Sequence, residues 1–160
     1  MDSRRAYLDG LRMLGQRELS EAQIRQRLTR RGYDPDTVDA AVARLVEERA
    51  IDDDRSAAAI ARIETGVRKR GRGRVRSKIE RAGISRAAAK RAMDDVFGDL
   101  DDDELLESAL ARRLKRGTAI GDQRQFNRIY RYLVGQGFEP QRVLAKLRGR
   151  RTGHVDHEDE

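Results

Sequence analysis

An all-α fold is predicted, with three tandem three-helix repeats stacked into an elongated, curved body. Three observations predict it. A glycine-centred pattern recurs three times, no segment alternates apolar and polar residues as a strand would, and Arg, Ala, Leu, Glu and Gln dominate the 160 residues. These residue types lose little side-chain entropy in a helix, and only Pro35 and Pro140 interrupt them.

The recurring pattern aligns on Gly32, Gly83 and Gly137. Eight residues before each glycine stand Ile24, Val75 and Ile129, and four before stand Leu28, Ile79 and Leu133. One after stand Tyr33, Ile84 and Phe138, six after Val38, Ala89 and Val143, and ten after Val42, Met93 and Leu147. The −8 and −4 positions share one helical face. The glycine suits a helix stop that needs left-handed backbone, and the bulky apolar residue behind it supplies the accompanying contact. A start signal follows each stop: Asp34 before Pro35, Ser85 before Arg86, and the weaker Glu139 before Pro140.

In order, the helices are expected at 3–14, 20–31, 35–49, 53–69, 73–82, 86–97, 102–116, 123–135 and 140–149. Tyr7, Leu8, Leu11 and Leu14 mark the core face of the first, Ile60, Ile63 and Val67 that of the fourth, and Leu106, Leu110 and Leu114 that of the seventh. Ser20 with Gln23 reads as a capping box, and Asp122 with Gln125 offers a similar one. Asp52–Asp54 and Asp101–Asp103 place negative charge at helix starts, which the helix dipole favours. The repeats are expected at residues 1–51, 52–98 and 99–151, followed by a disordered acidic tail at 152–160. Each repeat is too small to bury much surface alone, so neighbours must stack.

The net charge of +7 is unevenly distributed. Residues 62–91 carry 12 basic and 2 acidic groups, 94–107 carry eight acidic groups and no basic one, and 111–151 return to 12 basic and 2 acidic. Two basic blocks flanking an acidic hinge favour a polyanion or an acidic protein surface. The absence of Cys excludes disulfides, cysteine-ligated zinc and a thiol nucleophile. No stretch suits a signal peptide or a membrane span, so a soluble, cytoplasmic, monomeric protein is expected.

No catalytic, cofactor or metal constellation emerges, and a non-enzyme is expected. His154 and His157 both lie in the tail. The cluster around Asp101 lacks calcium-loop spacing and reads as a linker and helix cap. Gly71-Arg-Gly-Arg-Val-Arg lacks both the third glycine of a dinucleotide fingerprint and a phosphate loop's Gly-Lys-Ser/Thr. It reads as a helix stop and restart whose backbone N–H groups and arginines remain open to a phosphate. The candidate contacts are basic: Arg70, Arg72, Arg74, Lys78 and Arg81 in the second repeat, and Arg124, Arg128, Arg131 and Tyr132 in the third. Arg74, Lys78 and Arg81 form one row at i, i+4, i+7. Tyr132 beside arginines is placed either to stack on a base or partner, or to pack half-buried against the neighbouring repeat.

The residues that carry this pattern also carry a resemblance. Arg17-Glu18-Leu19-Ser20 with Ile24 and Leu28, then Gly32, Val38, Val42, Leu45 and Ile51-Asp52-Asp53, resemble the first repeat of the RecX family and its Asp-Asp junction. Gly73, Val75, Ile79, Gly83 and Ile84 are similar to its second-repeat pattern. The resemblance covers about residues 5–149 and is strongest over 7–97. One departure stands out: Ser56 and Ala57 replace a habitual bulky aromatic, which predicts thinner packing between repeats one and two. The resemblance implies binding to the RecA recombinase and its single-stranded-DNA filament, lying in the filament groove, and inhibition of strand exchange, ATP turnover and coprotease activity. It also leaves room for sequence-independent contact with single- or double-stranded DNA. The competing reading is a direct DNA-binding regulator of the helix-turn-helix type.

Overall fold

The computed structural model describes residues 2–151; the segment predicted to be a disordered tail lies outside them. Among the described residues nine α-helices follow one another: α1 (Ser3–Gln16), α2 (Glu21–Arg30), α3 (Pro35–Glu47), α4 (Asp53–Arg62), α5 (Arg72–Arg81), α6 (Arg86–Gly98), α7 (Asp102–Leu110), α8 (Gln123–Gly135) and α9 (Pro140–Arg148). They form three triplets in tandem. The one β-type pairing among these residues is an isolated bridge between Ile120 and Arg151.

Local chemistry sets the helix boundaries. Ser20 and Gln23 form the reciprocal capping box at α2. Asp34, Asp52, Ser85 and Asp101 cap α3, α4, α6 and α7 by accepting first-turn N–H groups. At α8 only half of the expected box forms. Asp122 accepts from the Gln125 N–H at 2.8 Å, but the Gln125 side chain accepts from Gly121 instead. Glu139 makes no side-chain cap. The three turn glycines all have positive φ, at 89°, 74° and 94° for Gly32, Gly83 and Gly137. At the first and third turns both bonds of a Schellman stop are present, with Tyr33 N–H to the Leu28 carbonyl and Phe138 N–H to the Leu133 carbonyl as the longer spans.

Every residue of the five apolar columns is buried. The cores are nevertheless not three equal units. The first triplet closes its own core around Ile24, Leu28, Val42 and Leu45. The second and third share one continuous core that runs from Ala57 and Ile79 to Leu133 and Leu147.

Two junctions join the triplets, and they follow one rule. The carbonyl before each turn glycine accepts a hydrogen bond from the N-cap residue of the preceding triplet's second helix. Ser20 Oγ donates to the Ala82 carbonyl, and Gly71 N–H donates to the Gln136 carbonyl at 2.9 Å. Gly73 N–H adds a bond to the Gly137 carbonyl at 3.1 Å. The contact is too close for side chains: a Cβ on Gly83 would stand 2.5 Å from Ala22 Cβ, and one on Gly137 2.3 Å from Arg74 N. The Gly71–Gly73 segment is therefore a backbone clasp, and both of its glycine N–H groups are spent inside the protein rather than left for a phosphate. The small residues at the family's departure point serve the first junction. Ser56 is buried and donates to the Leu19 carbonyl at 3.2 Å, so a hydrogen bond stands where thinner packing was expected.

Two expected core faces and one helix end are corrected. The fourth helix does not run regularly to 69: after Arg62 the chain widens into a π-turn at Ile63–Val67, closed by Arg68 N–H on the Ile63 carbonyl. The extra residue turns Glu64 and Thr65 inward and leaves Ile63 and Val67, expected in the core, 50% and 67% exposed. In α1 the buried face is Ala6, Asp9, Gly10 and Met13, while Leu8 faces outward. Gly10 is the reason: a Cβ there would stand 2.7 Å from Leu45 Cδ1, so α1 lies close on α3 along its small residues. The seventh helix stops at Leu110 rather than 116, although Leu114 remains buried in the turn beyond.

Asp9 gives the first core a pH dependence. The Tyr33 hydroxyl donates to it at 2.8 Å, and Arg31 approaches at 3.1 Å. The Tyr33 bond first, then the arginines, hold its carboxyl below the ordinary value. Glu48 is lowered in the same way by Tyr7 and Arg44, whereas burial raises Asp53, which acts in the opposite sense. A carboxyl lowered by folding stabilises the fold above its unfolded value, and that contribution is lost as pH falls through the lowered one. Stability is therefore expected to decline on acidification below about pH 4, with a flatter profile for Asp9→Asn. Urea midpoints across that range test it; identical profiles for parent and variant would refute the role of Asp9.

Candidate partner-binding surface

The acidic hinge selects which cations remain available. Asp102 takes Arg72 at 3.1 Å and Arg142 at 3.6 Å. Glu104 takes Arg116 at 2.7 Å, and Glu107 takes Arg150 at 2.5 Å and Lys146 at 3.7 Å. Arg116, Arg142, Lys146 and Arg150 of the third repeat's positive block are thus neutralised within the protein. Cations without a carboxylate partner among the described residues stand in all three triplets, and those of triplets two and three include a row on each second helix, α5 and α8.

On α5, Val75 and Ile79 face the core, and Lys78 and Arg81 stand exposed on the outer side. Arg74 completes their row but is half-buried, because its backbone lies against the Gly137 turn. Arg76, which the sequence reading passed over, is exposed beside them. On α8 the core face is Phe126, Ile129 and Leu133. Arg124, Arg128 and Arg131 lie opposite, all exposed, at i, i+4, i+7. Arg131 makes only a 3.4 Å bond to the Asn127 carbonyl of its own helix. Arg74 and Arg128 both stand nine residues before their turn glycine, the one repeat position the two rows share; the α8 row begins one helical turn earlier.

Tyr132 is half-buried, and the Arg113 guanidinium lies over its ring at 4.2 Å. Together with Gln125, Arg128 and Ile129 they line a cavity of about 310 Å³. Arg113 could not be read from the sequence, where it sat inside an expected helix. It reaches Tyr132 only because α7 stops at Leu110 and the chain turns.

Two predicted contacts have internal duties. Arg70, whose side chain is 18% exposed, pairs with buried Glu64 at 2.6 Å. Arg72 is held by Asp102 and lies over Phe97 at 4.6 Å. Arg72, Arg74 and Arg142 rim a cavity of about 690 Å³ above Leu105, Leu106 and Phe138. Among the described residues no group of His, Cys, Asp or Glu is placed to hold a metal ion, and no helix is long and apolar enough to cross a membrane.

Comparison with known proteins gives this surface a context. Residues 6–45 match the family model described as RecX, first three-helix domain. The chain is 32% identical to regulatory protein RecX of Halorhodospira halophila over 84% of its length and 81% of that protein's. It is 28% identical to regulatory protein RecX of Syntrophotalea carbinolica, over 83% and 88% of the two chains. Crystal structures share the fold. One of regulatory protein RecX superposes with a TM-score of 0.75 at 20% identity, covering 92% of this chain and 71% of that one. RecX from Lactobacillus salivarius gives 0.68 at 17% identity, over 91% and 96%. A tandem fold of nine helices among the described residues, a matching first-repeat model and 32% identity over more than four-fifths of a curated relative coincide, and the chain belongs to the RecX family of regulatory proteins.

Proposed function

We propose that this protein binds RecA and its filament on single-stranded DNA and restrains recombinase activity: ATP turnover, strand exchange and coprotease action. It thereby modulates DNA repair and the SOS response. The observation that carries this reading is the pair of rows on α5 and α8, cations left without internal carboxylates while their neighbours are neutralised. Two hydrogen-bonded junctions fix the triplets relative to one another, so the rows present charge along one body to a polymer whose own surface repeats. The repeats at 1–51, 52–98 and 99–151 act together as one monomeric wedge that works by binding rather than catalysis. Acidic recombinase surfaces meet the rows, and filament DNA adds a sequence-independent share.

The test is RecA's DNA-dependent ATP hydrolysis. Substoichiometric protein is expected to suppress it. Combined Arg124→Glu, Arg128→Glu and Arg131→Glu substitution is expected to raise the half-inhibitory concentration about tenfold or more, while leaving helicity unchanged. No inhibition at equimolar protein would refute the reading. A footprint on one operator sequence would favour a transcriptional regulator instead.

A further inference from the structure

We propose that the cavity of about 690 Å³ beside the Gly71–Gly73 clasp is a docking pocket for a partner-protein segment that carries an apolar side chain next to a carboxylate. The apolar side chain enters the cavity, and Arg74 and Arg142 hold the carboxylate at its mouth. This goes beyond the recombinase reading, which rests on the exposed rows of α5 and α8.

The first ground is shape. The N-terminal turns of α5, α7 and α9 converge on the cavity with the turn that ends α8. Leu105, Leu106 and Phe138, all buried, form an apolar floor, and half-buried Val134 adds to the lining. Gly71, Gly73, Gly135 and Gly137 line it without side chains. The clasp requires this: a Cβ on Gly71 would stand 2.7 Å from the Gly137 carbonyl, and one on Gly73 3.2 Å from its oxygen. The close approach that joins the triplets therefore leaves a recess. Its volume lies within the range of about 300–1,000 Å³ typical of sites that take ligands.

The second ground is charge. Arg72 is bonded to Asp102 at 3.1 Å. Arg74, half-buried at the rim, has no carboxylate partner among the described residues. Arg142 meets Asp102, Asp103 and Glu139 only at 3.6, 3.9 and 3.9 Å, beyond hydrogen-bond distance. One guanidinium is thus unpaired, and a second is free to close on a nearer carboxylate. No side chain caps the starts of α5 and α9, so their helix dipoles add to the positive potential there. Arg74 also begins the row that continues with Lys78 and Arg81, so acidic residues flanking the anchor meet that row.

The third ground is the mixture of chemistries. A nucleic acid brings phosphates but no apolar side chain for the floor, and Asp102 and Glu139 at the rim repel it. A membrane surface is too flat to reach a floor this deeply buried. A peptide supplies every part: an apolar side chain for the floor, a carboxylate for the two arginines, and backbone N–H groups for the two rim carboxylates. An anchor in a recessed apolar pocket with a polar rim is where protein interfaces concentrate binding energy.

Gly135 supplies a blocking variant for the test. It lines the cavity at the end of α8, and a Cβ there meets nothing within 4 Å, so Gly135→Phe obstructs the cavity without opening the clasp. Random displayed heptapeptides are selected on the full chain, without RecA or DNA. Enrichment of sequences that place Leu, Ile or Phe beside Asp or Glu is expected. The most enriched peptide, fluorescein-labelled, is expected to shift the methyl resonances of Leu105, Leu106 and Val134. It should bind about tenfold or more weakly both to Gly135→Phe and to the double variant Arg74→Gln with Arg142→Gln. If Gly135→Phe melts lower than the parent, the arginine pair decides. Enrichment of basic or purely apolar sequences, methyl shifts elsewhere, or undiminished affinity in the arginine variant would overturn the proposal. So would a dimer seen by sedimentation and lost in Gly135→Phe, which would assign the cavity to a second copy of the chain. Because RecA is absent from these measurements, failure of the recombinase reading leaves the docking result standing, and the converse.

Discussion

Replacing Gly137 with alanine is expected to destabilise the protein by about 3–4 kcal/mol, against about 1–2 kcal/mol for the same change at Gly32. Both glycines have positive φ, 94° and 89°, so both variants carry the strain of a left-handed backbone. They differ in what surrounds them. A Cβ on Gly32 meets nothing within 4 Å, whereas one on Gly137 would stand 2.3 Å from Arg74 N and 2.5 Å from Arg74 Cβ. The α5 backbone cannot retreat without losing the Gly71 and Gly73 hydrogen bonds to the turn, each worth about 1 kcal/mol. Because triplets two and three share a core, the damage should appear as lower stability of both. Urea denaturation of the two variants measures the difference. Equal losses would mean that the clasp contributes nothing beyond backbone strain.

The second large effect is expected at Glu64. Its side chain is 2% exposed and is the only carboxylate among the described residues that pairs with Arg70, at 2.6 Å, with Arg68 more distant at 3.4 Å. Arg70 Nε has no acceptor. Glu64→Gln therefore leaves a largely buried guanidinium without its counter-charge, at a cost of about 3–5 kcal/mol. Arg70→Leu is expected to be harmful but less so, because buried Glu64 keeps only the more distant, half-exposed Arg68 at 3.4 Å. The double variant Glu64→Leu with Arg70→Leu should recover most of the loss, since the desolvation cost disappears with the pair. Thermal melts of the three variants form the cycle. Additive losses in the double variant would show that the two residues act independently. Retained recombinase inhibition by the double variant is also expected, because Arg70 has its charge committed inside the fold.

These residues show where the sequence stops being readable. Arg70 and Arg124 look alike in it: both stand in blocks of high positive charge with a helical neighbourhood. What separates them is the π-turn at Ile63–Val67, which rotates Glu64 inward onto Arg70. Its weak local signals are Thr65, whose hydroxyl bonds back to the Ala61 carbonyl, and the exposed Gly66 beside it. Neither identifies a wider turn in advance, so Ile63 and Val67 kept a core phase that the chain abandons. Arg113 is the opposite case. It joins the candidate surface only because α7 ends early and lets the guanidinium fold over Tyr132.

The sequence by itself determined the triplets. Apolar residues at −8, −4, +1, +6 and +10 from a turn glycine fix a helix face, its stop and the next helix face through local geometry alone, and all of them are buried. Caps at Ser20, Asp34 and Ser85 were equally legible, because a cap needs only its own first turn. The tertiary structure alone decided how the triplets join and which charges stay free. Both are long-range matters: the clasp pairs Gly71 with Gln136, and the acidic hinge neutralises Arg72 and Arg150 across folded distance. A period in the sequence sets which side of a helix faces inward, but only packing sets what that helix meets.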